Sequence, residues 1–420
     1  MLARDQSGGA FRMDVRTPLA RPTAHPIVFL VLYLPFGALG GFLATVLGYK
    51  LKQAGLSTAE IGVLVTVALW PNVLKVIWAP IVDTTLSAKS WYVIGVVVLA
   101  GGLGCIGMLP LGRSSLVYLA AAVLALSFVS TIVAMAADIL MAHLTAPERK
   151  GQAGGWSQAG NVGGSSLGAA LGLWLATHVS VPFAAIVVAA TMVVCATPLL
   201  FLPSESRHHR SPSFAGSLTQ VRRDVWAIAR SRAGLLALFV LVLPLGTGVA
   251  ANFFAPIAGE WKASADIVAL VAGVAGAAVG LAAVFGGYVC DWMDRKTAYV
   301  AFGVIQALVA VGMALAPRTP EMFAIFGIAY AAATGLAFAG YAALTLETIG
   351  AGAAATKFNL LASVSNVPLL YVAAIEGPVQ TRFSSAAMLL TEAGLALAAA
   401  LLFAVVVLAT RRRPPPALAA

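Results

Sequence analysis

Apolar residues fill this chain in long blocks, not in the alternating or one-faced patterns of soluble strands and helices. Twelve blocks cover approximately residues 26–49, 58–83, 91–111, 116–143, 152–178 and 180–202, then 234–258, 265–290, 297–316, 321–346, 357–378 and 384–410. As α-helices rising about 1.5 Å per residue, most are long enough to cross about 30 Å of hydrocarbon. The polar residues gather between the blocks. The longest polar stretch, "PSESRHHRSPSFAGSLTQVRRDVWAIARSR", separates the sixth block from the seventh. The pattern predicts an all-α integral membrane protein with twelve transmembrane helices in two pseudo-symmetric six-helix bundles, residues 26–202 and 234–410. Residues 1–25 form a cytoplasmic N-terminal segment, 203–233 a cytoplasmic linker and 411–420 a cytoplasmic tail. No signal-peptide cleavage pattern follows Pro26. Within the linker, Leu218 to Arg232 reads equally as an interfacial amphipathic helix or as unstructured chain.

Composition sharpens this. Hydrophobic residues make up 60% of the chain and charged residues 10%, against about a quarter charged in soluble domains. Only a bilayer suits so much apolar surface. The 41 glycines fit close helix packing in lipid. The three cysteines, Cys105, Cys195 and Cys290, have neither disulfide nor metal spacing, and the five histidines form no HExxH cluster. No cofactor is implied, and no catalytic constellation or phosphate loop supports an enzyme.

The net charge of +10 invites a nucleic-acid partner, but topology accounts for it better. With both termini inside, 19 basic residues face the cytoplasm and six face outward: Lys50, Lys52, Arg113, Lys262, Arg318 and Arg382. This positive-inside bias predicts a multi-pass protein of a bacterial-type cytoplasmic (inner) membrane. Lys75 alone remains within the membrane.

The halves echo one another. Asp83 and Asp291 end the second and eighth helices at an offset of 208, and Asn161-Val162 and Asn366-Val367 recur at 205. Paired halves point to a secondary transporter with its site at their interface near the midplane. Intramembrane charge is expensive, about 3 kcal/mol on insertion scales, so it faces a bundle interior or a wet cavity. Lys75 sits about 12 Å along the helix from Asp83. It reads as a cation for an anionic solute group or a proton-linked switch, or as the structural partner of Asp138. Asp138 reads as a coupling acid or as that ion-pair partner. The remaining cavity candidates are Tyr33, Asn72, Trp156, Gln158, Asn161, Asn252, Tyr341, Asn359, Asn366 and Tyr371. Glu376 and Glu392 read first as interfacial residues and second as proton sites, and Glu347 as a gate or cap. Pro35, Pro71, Pro80, Pro244 and Pro368 break their helices, and Pro71 and Pro80 bracket Lys75.

The stretch "GGYVCDWMDRK" resembles the loop motif of the major facilitator superfamily: Gly287, Asp291, Arg295 and Lys296 match, while Asp294 stands where that family usually has glycine. The first-half copy keeps Asp83 and Lys89, with Ala79 for the glycine. "GLSTAEIGVLVTVALWPNVLKVIWAPIVD" resembles the second helix of the muropeptide permease, acetyl-coenzyme A transporter and siderophore importer group, through Lys75, Trp78, Pro80 and Asp83. "TAPERKG" after Asp138 and "ATKFNLLASVSN" extend that likeness.

The resemblance implies alternating access in a monomer. It implies proton-coupled import of a moderate-sized organic solute, siderophore-like or muropeptide-like, driven by the proton gradient. The solute is then a small molecule, small peptide or glycan, and no nucleic acid is bound. It also implies a cytoplasmic gate in which Asp83 and Asp291 face helix N-termini of the opposite half, with Arg149, Arg295, Lys296 and Lys357 as partners. A drug or metabolite efflux facilitator, or a transport-inactive sensor, are the alternatives.

Overall fold

A computed structural model of the protein describes residues 23–56, 74–203, 214–349 and 354–411, together with 64, 67, 68 and 70–72. The basic lead, the start of the linker, the loop at 350–353 and the arginine-proline tail fall outside the described residues. The helices are α1 (Val28–Gly41), α2 (Gly48–Gln53), α3 (Ala79–Thr84), α4 (Ala88–Met108), α5 (Leu116–Leu144), α6 (Lys150–His178), α7 (Val181–Val194), α8 (Phe214–Arg230) and α9 (Arg232–Val242). They continue as α10 (Ala265–Trp292), α11 (Arg295–Leu315), α12 (Pro320–Ile349), α13 (Ala354–Ser365), α14 (Val367–Arg382) and α15 (Ser385–Arg411).

Among the described residues, nine helical segments are long and apolar enough to cross a membrane. A tenth, α6, runs 29 residues but is diluted by Gly, Ser and Gln. The second and seventh predicted spans complete the twelve, and both are interrupted. Their starts are set by local chemistry: the side chains of Ser87, Ser180, Ser231, Ser264 and Asp294 each accept a first-turn N–H of α4, α7, α9, α10 and α11. Asp294, the residue at the family's glycine position, accepts both the N–H and the hydroxyl of Thr297 at 2.9 Å. The linker's second part is helical, as α8, with basic residues Arg222, Arg223 and Arg230 and an exposed Trp226.

The interruptions of the second and seventh spans fall beside proline and glycine, whereas Pro35, expected to break the first helix, lies inside a continuous α1. The first span joins α1 to α2 through a π-helical stretch, Phe42–Leu47. The second passes through a 3₁₀ turn, Lys75–Ile77, before α3 restarts with Pro80 in its first turn. The seventh loses its helix after Val242 and resumes in short turns at Val249. Gly246 and Gly248 adopt φ of 64° and 70°, a region that L side chains rarely occupy. A Cβ on Gly246 would also lie 2.4 Å from that of Ala337. The freed carbonyls are not orphaned: Tyr371 donates to Val242 O at 2.9 Å and Tyr299 to Leu245 O at 3.0 Å. Neighbouring side chains thus replace the missing helical bonds, as a helix break within lipid requires.

Glycine sets the packing. Added Cβ atoms at Gly160, Gly164 and Gly168 of α6 would lie 2.2, 2.3 and 2.1 Å from the carbonyl oxygens of Leu30, Leu34 and Ala38 on α1. One helical face therefore lets two backbones of the same half touch. The opposite half meets α6 in the same manner: Cβ atoms at Gly151 and Gly155 would lie 2.4 and 2.3 Å from the carbonyls of Gly287 and Ala283 on α10.

Candidate functional site

Between the halves lies a cavity of about 280 Å³. The first half contributes Tyr33, Phe36, Lys75, Asp138, Gln158 and Asn161, and the second contributes Tyr299, Phe338, Tyr341, Phe358 and Asn366, among others. Tyr33 and Asp138 are 6% and 2% exposed, and the Tyr33 hydroxyl donates to Asp138 Oδ1. That bond ties α1 to α5 at the cavity wall. Lys75 emerges from its 3₁₀ turn into the same cavity, near enough for its charge to act on Asp138. The direct hydrogen-bond partner of Asp138 is nevertheless the tyrosine, which leaves the Lys75 ammonium facing the cavity. Trp78 holds this helix to α5, donating from Nε1 to Thr131 Oγ1 at 3.0 Å and packing on Phe128 with ring centroids 4.6 Å apart.

The other candidates divide. Gln158, Asn161, Asn366 and Tyr341 line the cavity. Asn161 also lines, with Asn72, a more apolar neighbouring cavity of about 190 Å³ between α1, α6 and the second span. Four residues expected at the cavity lie elsewhere. Trp156 is not among its lining residues, and its buried Nε1 has no partner. Asn252 is exposed on the turns that follow the seventh-span break. Asn359 is 1% exposed and donates to Ala355 O in its own helix at 2.8 Å. Tyr371 serves the broken helix instead of the cavity.

One end of the cavity is closed by two carboxylate contacts between the halves. Asp83, ending α3, accepts the N–H groups of Ala355 and Thr356 at 3.0 and 2.8 Å and the Thr356 hydroxyl at 2.7 Å. Asp291, ending α10, accepts the N–H groups of Gly151 and Gln152 at 2.7 and 3.0 Å. Each carboxylate thus meets the free donors and the positive dipole end of a helix in the opposite half. Arg295 lies 3.5 Å from Asp291 and 3.3 Å from Glu347, and donates to Pro147 O at 2.7 Å. Lys296 pairs with Glu347 at 3.4 Å. Lys357, 5% exposed, donates to Ile349 O at 3.0 Å.

Arg149 departs from its expected place. It is exposed, and the cross-half contact is made by its neighbour Lys150, which donates to Leu346 O at 2.8 Å. Helix α6 begins at Lys150, and one residue turns a helical side chain by about 100°. Sequence reasoning overlooked Lys150 and the Thr356 hydroxyl, although both stand in the quoted stretches "TAPERKG" and "ATKF". It also placed Glu376 and Glu392 at the interface, whereas they are 0% and 5% exposed.

The comparisons with known proteins agree on the architecture. The sequence profile described as Major Facilitator Superfamily matches residues 27–257, more than half of the chain. A search of curated proteins finds no match. Among solved structures, the chain is similar to the Escherichia coli fucose:proton symporter FucP, with 14% identity, a TM-score of 0.69, and 91% of this chain and 98% of that one covered. It is similar to the proton:xylose symporter XylE bound to 6-bromo-6-deoxy-D-glucose, with 13% identity, a TM-score of 0.63, and coverage of 90% and 95%. It is also similar to the human organic anion transporter MFSD10, with 17% identity, a TM-score of 0.65, and coverage of 90% and 98%. At these identities the likeness speaks for the fold.

Proposed function

This chain belongs to the Major Facilitator Superfamily and is a membrane transporter, and from that premise we propose that it couples proton movement to import of a moderate-sized organic solute bearing an anionic group. The observation that carries the reading is the cavity between the halves, with the Tyr33–Asp138 bond on its wall and Lys75 facing into it. Lys75 offers a charge to the solute, and Asp138 a carboxyl group that takes up or releases the coupling proton. Asn161, Gln158 and Asn366 supply hydrogen bonds, and Phe36, Phe338 and Phe358 supply apolar contact. The Asp83 and Asp291 contacts act as latches, with Arg295, Lys296, Lys150 and Lys357 beside them; their release opens that end. The basic residues gather there, so the latch end is cytoplasmic and the chain lies in an inner membrane.

The resemblance of the second helix favours siderophore-like or muropeptide-like cargo. The cavity of about 280 Å³ is at the lower bound of small-molecule pockets, so such cargo needs a wider cavity than this conformation provides. Proton flux in proteoliposomes of the purified full chain tests the proposal. Ferric siderophores, anhydro-muropeptides, small sugar acids and neutral sugars are added singly. Alkalinisation on the solute side with an anionic class, lost in Asp138→Asn and Lys75→Ala, is the expected result. Solute uptake without proton movement, or wild-type rates in both variants, would overturn the coupling scheme.

A further inference from the structure

A second carboxylate assembly lies beside the solute cavity, whose lining shares Thr247 with it. Glu376 on α14 and Glu392 on α15 are 0% and 5% exposed, and neither lines the cavity. Glu392 Oε1 accepts the Tyr330 hydroxyl of α12 at 2.5 Å and the Thr247 hydroxyl of the broken seventh span at 3.1 Å. Its Oε2 has no hydrogen-bond partner, and neither has either oxygen of Glu376, whose charge acts on the same site. Among the described residues Glu376 is therefore an unpartnered polar group, fully buried, on a helix packed against that of Glu392 and near enough for the two charges to act on one another.

We propose that Glu376 and Glu392 form a proton-binding site separate from Asp138, in which one proton is held by the two carboxyl groups together. Two ionised carboxylates side by side in a membrane interior repel one another and lack solvation. Among the described residues, the charged and titratable groups around the pair do not supply a counter-ion. Tyr330 faces it from α12, and the seventh span contributes the Thr247 hydroxyl and the Ala250 N–H. Arg318, before α12, stacks on the Trp261 ring at 3.7 Å. Glu260 accepts from Ser385, and Arg382 is exposed at the end of α14. One added proton removes one charge and gives an unpartnered oxygen a donor. The Tyr330 and Thr247 hydroxyls donate to Glu392 and favour its ionised form, which leaves Glu376 to take the proton. A sodium ion held by the carboxylate oxygens is the competing occupant.

The site lies about 10 Å inside the start of α15, at the end of the molecule opposite the latches. This inference does not depend on transport, and neither does its test. Infrared difference spectra of the detergent-purified full chain, followed through a pH titration, report the C=O stretch of protonated buried carboxyl groups. Wild type is expected to keep such a band at neutral pH. Glu376→Gln should abolish it, because Glu392 then keeps all its donors and loses its repelling neighbour. Glu392→Gln should keep a displaced band from Glu376, Asp138→Asn should leave the band in place, and the double variant made in the Asp138→Asn background should show none. Each glutamine is near-isosteric, and monodispersity on gel filtration verifies folding. A band absent from the Asp138→Asn protein, or surviving when both glutamates are also replaced, would overturn the proposal. So would its removal by NaCl of physiological strength at fixed pH, which would assign the site to the cation.

Discussion

Asp83 ends one helix and satisfies the start of another, so its chemistry can be tested alone. Asp83→Asn keeps one acceptor oxygen but removes the charge that faces Ala355 and Thr356. Charge-assisted bonds contribute about 1.5–3 kcal/mol each. A net loss of about 1.5 kcal/mol shifts the closed-to-open ratio at the latch end roughly tenfold. Spin labels on the two halves at that end should show a longer distance population in the variant; an unchanged distribution would refute the latch. Asp294, between α10 and α11, carries a pH dependence. Partial burial pushes its carboxyl up, but the Thr297 N–H and hydroxyl and the Lys296 charge outweigh this and hold it below the ordinary carboxylate value. A depressed carboxyl stabilises the fold fully above its unfolded value and ceases to do so as pH falls through the folded one. The melting-temperature difference between wild type and Asp294→Ala should therefore be largest near neutrality and shrink on acidification. This scale was the least legible in the sequence. Distance from a helix end does not give burial, so Glu376 and Glu392 read as interfacial until α12, α14 and α15 closed around them. Asn252 and Asn359 passed as cavity residues because their polarity is visible in sequence, whereas the facing of their side chains depends on a helix break in one case and a same-helix bond in the other.

At the scale of elements, α6 is a two-sided contact helix. Its Gly160–Gly164–Gly168 face touches α1 in its own half, and its Gly151–Gly155 face touches α10 in the other. The two faces predict different failures. Gly164→Ala forces apart two helices of one half, at a cost of about 1–3 kcal/mol, and should lower the melting temperature by several degrees. Gly155→Ala strains a contact between the halves that the proposed opening of the latch end would break, and should lengthen inter-half label distances with little loss of stability. Gly163→Ala, with nothing within 4 Å, is the control and should do neither. Helix positions were readable, since twenty apolar residues in sequence admit few other outcomes. Interruptions were readable at proline, as at Pro80. The extent of the seventh-span break was not, because it rests on Gly246, Gly248 and two tyrosine hydroxyls supplied by distant helices.

For the whole molecule, the order of charges along the chain implies an orientation. Lys89, Lys150, Arg295, Lys296 and Lys357 gather at the latch end, and Lys50, Lys52, Arg113, Lys262, Arg318 and Arg382 at the other. Single cysteines placed at Gly112 and at Glu148, in a chain stripped of Cys105, Cys195 and Cys290, should react differently with a membrane-impermeant maleimide. Gly112→Cys should label in intact cells and Glu148→Cys only after lysis; the reverse would invert the assigned import direction. The duplication was visible as paired Asp and Asn-Val positions, and the swapped latches are its mechanical form, since each half supplies one carboxylate and one helix start.

Those latches also carry a consequence for inheritance. Most of their donors are main-chain amides, which no codon specifies. The loops leading into α6 and α13 are free to drift in sequence while each helix starts in the same place, whereas a single base change can turn either aspartate into asparagine. No substitution among those amide donors can restore what is then lost. Second-site revertants of an Asp83 or Asp291 variant should therefore arise where the other conformation is weakened, not at the broken contact.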